Sequence, residues 1–354
     1  MPIEIRPFSP EWLSALREFN GRLEAIGIGL PEDSEAEMLS GSRMYLAVEG
    51  RDVRGGYILQ PQIFSFGGEL RRVAHLRLPL SEGAVNRSYA RVASLLLRSA
   101  EKTEPLLYAL GMGGLDRPLP RMLQAMGWSV TPVPFYFRVV HAARFLRAIR
   151  AIRKTRLRAF LMDLAAWTGA GWLLIRNRQR RRAQPVPKGI HAEEAEDFGP
   201  WADEIWAAAQ PEYAMTAVRD ARALQQLYPA GESRFLRLRV NSCGWALLLD
   251  TPMQGDPSFG DLRVGTIVDC MASPDSDGPE RVIHAARRYL EKRGVDLIVT
   301  NQSHAAWRDA LRAAGFLQGP PNFLFGASKA LAALGAPAEE MHINRGDESG
   351  PAHL

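Results

Sequence analysis

One stretch of this sequence is written twice. Gly56, Tyr57, Ile58 and Leu59 return 188 positions later as Gly244, Trp245, Ala246 and Leu247, and Leu119 to Trp128 returns at the same offset as Trp307 to Phe316. Pro132, Phe135 and Phe137 are matched in turn by Pro320, Phe323 and Phe325. Between these anchors the offset drifts. Glu69, Leu70 and Arg71 pair with Asp261, Leu262 and Arg263, and Arg91 and Val92 with Arg281 and Val282, as loop insertions between fixed elements would leave them. A chain of this kind must fold one unit twice, and whatever is inferred for one copy is constrained by the other.

Both copies follow one order of hydrophobic periodicity. An opening strand (Ile3–Arg6; Gly189–Ala192) precedes amphipathic helical stretches. Two strands joined by a turn come next, Tyr45–Val48 with Gly56–Ile63 and Phe235–Val240 with Gly244–Leu249; Asp52 and Asn241 sit in the turns, which favour such side chains. A third strand (Arg72–Leu78; Val264–Asp269) leads to a helix (Tyr89–Lys102; Pro279–Arg293), with Pro279 suited to a first turn and Gly294 to a stop. A buried strand (Leu106–Leu110; Leu297–Thr300), a helix ending at Gly127 or Gly315, and an aromatic strand close each copy. A strand–helix–strand crossover among mostly antiparallel strands predicts an α/β protein with a mixed, twisted sheet in each copy. The expected organisation is an N-terminal domain over 1–140, a connector over 141–188, a C-terminal domain over 189–332, and a tail over 333–354 whose Gly, Pro and acids predict disorder.

Charge singles out the connector. The net charge is +5, yet 13 basic residues and one acid, Asp163, fall between Val139 and Gly189, leaving −7 for the rest. Arginines at 144, 147, 150 and 153 alternate with Phe145, Leu146, Ile149 and Ile152, the pattern of a basic amphipathic helix. Leu157–Ile175 is apolar but broken by Arg158, Asp163 and Gly169-Ala170-Gly171, too interrupted for the ~20 apolar residues of a spanning helix. Arg144–Arg182 is therefore expected either to pack as a helical connector or to lie on an anionic membrane surface from the cytoplasmic side. The same charge suits a tRNA acceptor arm, but no aromatic–basic interleaving supports nucleic acid as a partner.

Met1 to Pro10, with Glu4 and Arg6, has no apolar signal core, and Cys243 and Cys270 lack metal or disulfide spacing. A reducing cytoplasm is the expected compartment. Thirty-nine arginines against five lysines suggest a GC-rich bacterial genome.

The order of elements, with a helix closing on Gly127-Trp128 or Gly315-Phe316 and Asn301 before the second of these helices, resembles the GCN5-related N-acetyltransferase (GNAT) superfamily. The tandem arrangement resembles FemABX-type and mycothiol-synthase-type acyltransferases. This resemblance implies an enzyme that moves an acyl group from acetyl-CoA or another acyl-CoA to an amine or hydroxyl, with no metal. Small-molecule or glycan acceptors fit, among them a bacterial envelope or polysaccharide precursor. It also implies a phosphate-binding loop between the third strand and its helix, where glycines admit backbone N–H groups to the pyrophosphate. At that place the first copy has Pro79 to Arg87, with Gly83 and Arg87 as cofactor-binding candidates, and the second has Ser273 to Glu280, with Gly278. Neither reproduces the family's Arg/Gln-x-x-Gly-x-Gly/Ala, and Leu123 and Leu311 stand where the family often has an acidic tyrosine.

Three residues of the second copy are candidates for catalysis. Asp269 ends its strand where a carboxylate beside an acceptor amine can act as general base. His304 offers a neutral imidazole at the next strand-to-helix junction. Asn301 can hydrogen-bond an acyl carrier. Glu82, Arg87 and Asp116 are the first copy's counterparts. Two other functions suit the departures in the loops: a tandem scaffold that binds without turnover, and an aminoacyl-tRNA-dependent transferase that needs no CoA loop.

Overall fold

A computed structural model describes residues 2–32, 41–149, 170–181 and 183–348. The chain forms two units, neither of them continuous in sequence: Met1–Phe64, Leu70–Thr131 and Leu324–Gly335 make one, and Ser65–Glu69, Pro132–Phe323 and Ala336–Leu354 the other. In chain order the strands are β1 (Glu4–Pro7), β2 (Arg43–Glu49), β3 (Asp52–Phe66), β4 (Glu69–Ser81), β5 (Leu107–Gly111), β6 (Ser129–Pro132), β7 (Phe135–Val139) and β8 (Ala192–Ala195). They continue with β9 (Met215–Ala217), β10 (Leu236–Val240), β11 (Gly244–Pro252), β12 (Arg263–Ala272), β13 (Leu297–Asn301), β14 (Leu317–Gln318), β15 (Leu324–Ala327) and β16 (Met341–His342).

The first unit's sheet is ordered β1-β2-β3-β4-β5-β15-β6, and the second's β8-β10-β11-β12-β13-β7-β14. The orders are the same, as the repeat requires. In each, one central pair is parallel, β4 with β5 and β12 with β13, bridged by the helices Val92–Thr103 and Gly278–Lys292. The sixth strand of each sheet comes from the other copy. β15 pairs antiparallel with β5, and β7 is antiparallel to β13. Contiguous domains over 1–140 and 189–332 therefore differ from the units observed. Both strands are apolar and largely buried, with Tyr136 and Val139 in one and Leu324 and Phe325 in the other, so each suits a central position in either sheet.

The repeated residues are those on which the packing turns. A Cβ on Gly56 would lie 2.7 Å from the Tyr45 carbonyl, and one on Gly244 2.6 Å from that of Met271; the aromatic after each, Tyr57 or Trp245, is fully buried. Gly127 and Gly315 have φ of 86° and 80°, left-handed values that end their helices. In both, the next N–H reaches back five residues, Trp128 to the Leu123 carbonyl at 3.0 Å and Phe316 to Leu311 at 2.9 Å. Trp128 and Phe316 are thereby buried in their cores, each contributing on the order of 1.5–3 kcal/mol.

The start of the connector belongs to the second unit. Helix Ala142–Ala148 buries Phe145 and Leu146 beside Leu262, Val264, Leu297 and Val299. Residues 150–169 and 182, on which part of the basic-helix reading falls, lie outside the described residues. Helix Ala170–Arg180 carries Arg178 and Arg180 in its last turn, and Leu173 and Leu174 on it are 60% and 71% exposed. Among the described residues no helix is long and apolar enough to cross a membrane. The tail runs against its composition: β16 and a 3₁₀ turn, Arg345–Asp347, are built into the second unit, with Ile343 and Asn344 fully buried.

Candidate active site

In the second unit the parallel strands pair only over Val264–Leu297, Gly265–Ile298 and Thr266–Val299, and then part. The chain's own later residues take the gap. Ser303 N–H donates to the Ile343 carbonyl (3.1 Å), Ile343 N–H donates to the Ser303 hydroxyl (2.8 Å), and Ala305 N–H donates to the Glu339 carbonyl (2.8 Å). β16 pairs parallel with β9, and His342 Nε2 donates to the Cys270 carbonyl at 2.7 Å. Residues 339–344 thus bond both arms of the fork.

Below this segment lies a closed polar cluster. Arg219, 1% exposed, donates to Asp269 at 2.8 Å and to Asp347 at 2.9 Å. Asp269 also accepts from Tyr228 Oη (3.0 Å), Asn344 Nδ2 (2.8 Å) and the Cys270 N–H (2.8 Å). Burial raises Asp347 to about 6, and raises the Tyr228 hydroxyl well above its usual range. Sequence reasoning missed Arg219, Tyr228, Asn344 and Asp347, which lie 41 to 78 positions from Asp269 and carry no local periodic signal.

The catalytic candidates meet around that segment rather than around an open cleft. Asp269 is 1% exposed and bonded on both oxygens, so its geometry is that of a buried counter-ion rather than a base facing solvent. His304 is buried, and its Nδ1 accepts the Ala306 N–H at 3.2 Å, which leaves the ring proton on Nε2. Burial pulls its pKa down to about 4. Asn301 is fully buried; its amide donates to the Val133 carbonyl and to Asn322, and its oxygen accepts from Arg345 Nε at 2.9 Å. In the loop, Gly278 N–H donates to Ser276 Oγ (3.0 Å), and a Cβ there would sit 2.9 Å from that of Ala272. Asp275, Asp277 and Glu280 surround this loop, and among the described residues only Asp277 has an arginine partner, Arg281 at 2.7 Å. A pyrophosphate does not fit so acidic a place.

The first unit's fork is different. β4 and β5 pair over Ala74–Leu107 and His75–Tyr108 alone. Leu78 on β4 (φ 45°) and Met112 just past β5 (φ 56°) then adopt left-handed backbone, strained for such side chains. At the base of the fork His75 stacks on Tyr108 with ring centroids 4.6 Å apart. Its Nδ1 is buried with no hydrogen-bond partner among the described residues, and burial lowers its pKa to about 3, so the ring is neutral. In the loop beyond β4, Gly83 N–H donates to Ser81 Oγ at 3.0 Å, and a Cβ would meet the Tyr89 carbonyl at 2.7 Å. This glycine serves the loop's own packing. The single loop acid, Glu82, is buried between Arg22 and Arg54, each at 3.1 Å. Arg87 and Arg91 stay exposed, with no ion pair among the described residues, just ahead of helix Val92–Thr103. An anionic group fits there, held by those two side chains and the helix start. Asp116, the remaining first-copy candidate, lies just before helix Pro118–Ala125.

The fold is a GNAT fold, similar to that of several solved acyltransferases. A probable N-acyltransferase from Enterococcus faecalis is similar over 94% of this chain and 74% of its own, with a TM-score of 0.53 and 10% identity. The Saccharomyces cerevisiae N-myristoyltransferase with bound myristoyl-CoA is similar over 93% and 79%, with a TM-score of 0.51 and 11% identity. A GCN5-related N-acetyltransferase from Anabaena variabilis is similar over 92% and 72%, at 0.51 and 10%. No protein-family model and no curated protein matches the sequence.

Proposed function

We propose that this protein is an acyl-CoA-dependent N-acyltransferase whose donor binds at the fork of the first unit. One observation carries the reading: the β4/β5 fork ends at Arg87 and Arg91, a basic pair with no ion pair among the described residues, while the β12/β13 fork is closed by residues 339–344 and faced by acids. The neighbouring N-myristoyltransferase structure, with its bound myristoyl-CoA, supports the donor class. An acyl-CoA supplies a thioester, whose acyl carbon is open to attack by an amine. Arg87, Arg91 and the start of helix Val92–Thr103 hold its phosphates, and Gly83 fixes the loop that carries Arg87. His75, kept neutral, offers a hydrogen bond without a charge at the base of the fork. Asp269 and Asn301 serve the packing of the second unit, the first neutralising Arg219 and the second holding Arg345.

The acceptor is an amine or hydroxyl on a small molecule or glycan. Exposed Leu173 and Leu174, on a helix that also carries Arg176, Arg178 and Arg180, support an anionic membrane face and hence an envelope precursor as acceptor. A second reading, binding without turnover, draws on Leu123, buried in the core where the family often has a tyrosine. Thiol release from acyl-CoAs of increasing chain length, with an amine panel, separates the two. Acceptor-dependent release supports transfer. Donor binding with no release for any acceptor supports the second.

A further inference from the structure

The second unit holds a cavity that neither fork uses. Its volume is about 1030 Å³, at the upper end of the ~300–1,000 Å³ common for ligand sites. Its walls are Phe135, Phe137 and Val139 of β7, Phe145, Leu146 and Ile149 at the end of helix Ala142–Ala148, and Leu297, Leu317, Pro320 and Phe259. Three arginines line it, Arg178, Arg181 and Arg345, and among the described residues no acid does. Among the described residues none of the three has a salt bridge.

Arg345 is the informative one. Asn301, buried and bonded on both ends of its amide, grips Arg345 through Nε at 2.9 Å. The terminal nitrogens carry no hydrogen bond among the described residues. Burial lowers this guanidinium to about 10, which an arriving anion would relieve. A guanidinium with no salt bridge among the described residues, and only the more distant charge of Glu348 to offset its burial, is costly at the wall of an apolar chamber unless something anionic visits it. The chamber asks for apolar length, the arginines for one negative head, and Leu174, 71% exposed at its edge, for an apolar approach.

We propose that this cavity binds a long-chain fatty acid, its hydrocarbon along the aromatic wall of β7 and its carboxylate on Arg345. The site stands independently of the acyl-transfer reading.

The test uses the full chain. A fluorescent polyene fatty acid is titrated into wild-type protein, Arg345→Gln and Leu317→Trp, with the methyl ester of the same acid as the uncharged control. Saturable one-to-one binding is expected. Arg345→Gln should weaken the acid by roughly tenfold or more, the scale of a charged hydrogen bond, and leave the ester unchanged. Leu317→Trp, which fills the chamber without touching Arg345, should weaken both. Unfolding curves recorded alongside identify any variant that has lost its fold, and Arg181→Gln on the open edge is then read in its place. No saturable binding, or equal loss of acid and ester in the arginine variants, overturns the proposal. So does a concentration-dependent doubling of mass that abolishes binding, since the occupant is then a second copy.

Discussion

Asn344 Nδ2 donates to Asp269 Oδ1 at 2.8 Å, joining a residue of the chain's final turn to the end of a central strand 75 positions earlier. Asn344 also receives the Gly346 N–H at 2.8 Å, and its own N–H donates to Asp347 at 2.8 Å, so the turn is capped from both sides. Through this pair the last described residues become part of the second unit's core. A strand-end carboxylate with an open face would be free to work on a substrate; this one is not.

Asp269→Asn should therefore act on stability. It leaves Arg219 buried with half its compensation, and breaking such a pair costs about 3–5 kcal/mol. A chemical unfolding curve that shifts by that amount is expected. A variant with wild-type stability and a 10²-fold loss of turnover would restore Asp269 as a general base.

Ile343 is fully buried in the segment that fills the β12/β13 fork. Ile343→Ala should cost about 2–5 kcal/mol, the usual range for such a truncation. Hydrogen exchange should rise at Ser303 and Ile343 together, because their amides are held by that segment. Unchanged protection would mean that residues 339–344 contribute nothing to the closed fork.

Stability should depend on pH through buried histidines. His75 is lowered to about 3 and His284 and His304 to about 4, against an ordinary 6.5. Between those values the unfolded chain binds more protons than the folded one, so their contribution is complete above 6.5 and is lost as pH falls through the window. Burial holds His342 well below its usual range as well, so Asp347, raised to about 6 and acting in the opposite sense below that pH, is one group against four among the described residues. Tm should be flat from about 8 to 7 and fall below 6.5. A Tm that climbs on acidification from 7 to 5 would contradict this.

The exposed leucines and arginines of helix Ala170–Arg180 make a salt-dependent prediction. Binding to vesicles rich in anionic lipid should weaken steeply as salt rises, since attraction at the surface fades over ~8 Å at 0.15 M. Replacing Arg176, Arg178 and Arg180 with Ser should weaken it further, by ~1 kcal/mol for each. Salt-insensitive binding, or none, returns this helix to a purely packing role.

Much of the fold was legible in the sequence because the repeat made every element appear twice. The exchange of β7 and β15 was not, since Phe135-Tyr136-Phe137 and Phe323-Leu324-Phe325 carry nearly the same pattern, and periodicity cannot say which sheet a strand joins. The tail was misjudged because Gly335, Pro337, Gly346 and Pro351 dominate its composition, whereas Met341 and Ile343 decide its burial. The candidate site was half legible. Asp269 and Asn301 each bond one turn, through Asn344 and Arg345, but these partners and Arg219 come from distant loops that no spacing rule connects.

Thermal unfolding with and without acyl-CoA tests the proposed donor site most directly. At 100 times its Kd a ligand adds ~2.7 kcal/mol, so acetyl-CoA or a longer acyl-CoA should raise Tm by several degrees. Replacing Arg87 and Arg91 together with Ser should remove most of that rise, and Asp275→Ser at the closed fork should leave it unchanged. No rise with any acyl-CoA, or a rise indifferent to Arg87 and Arg91 and enhanced by Asp275→Ser, would contradict a donor site in the first unit.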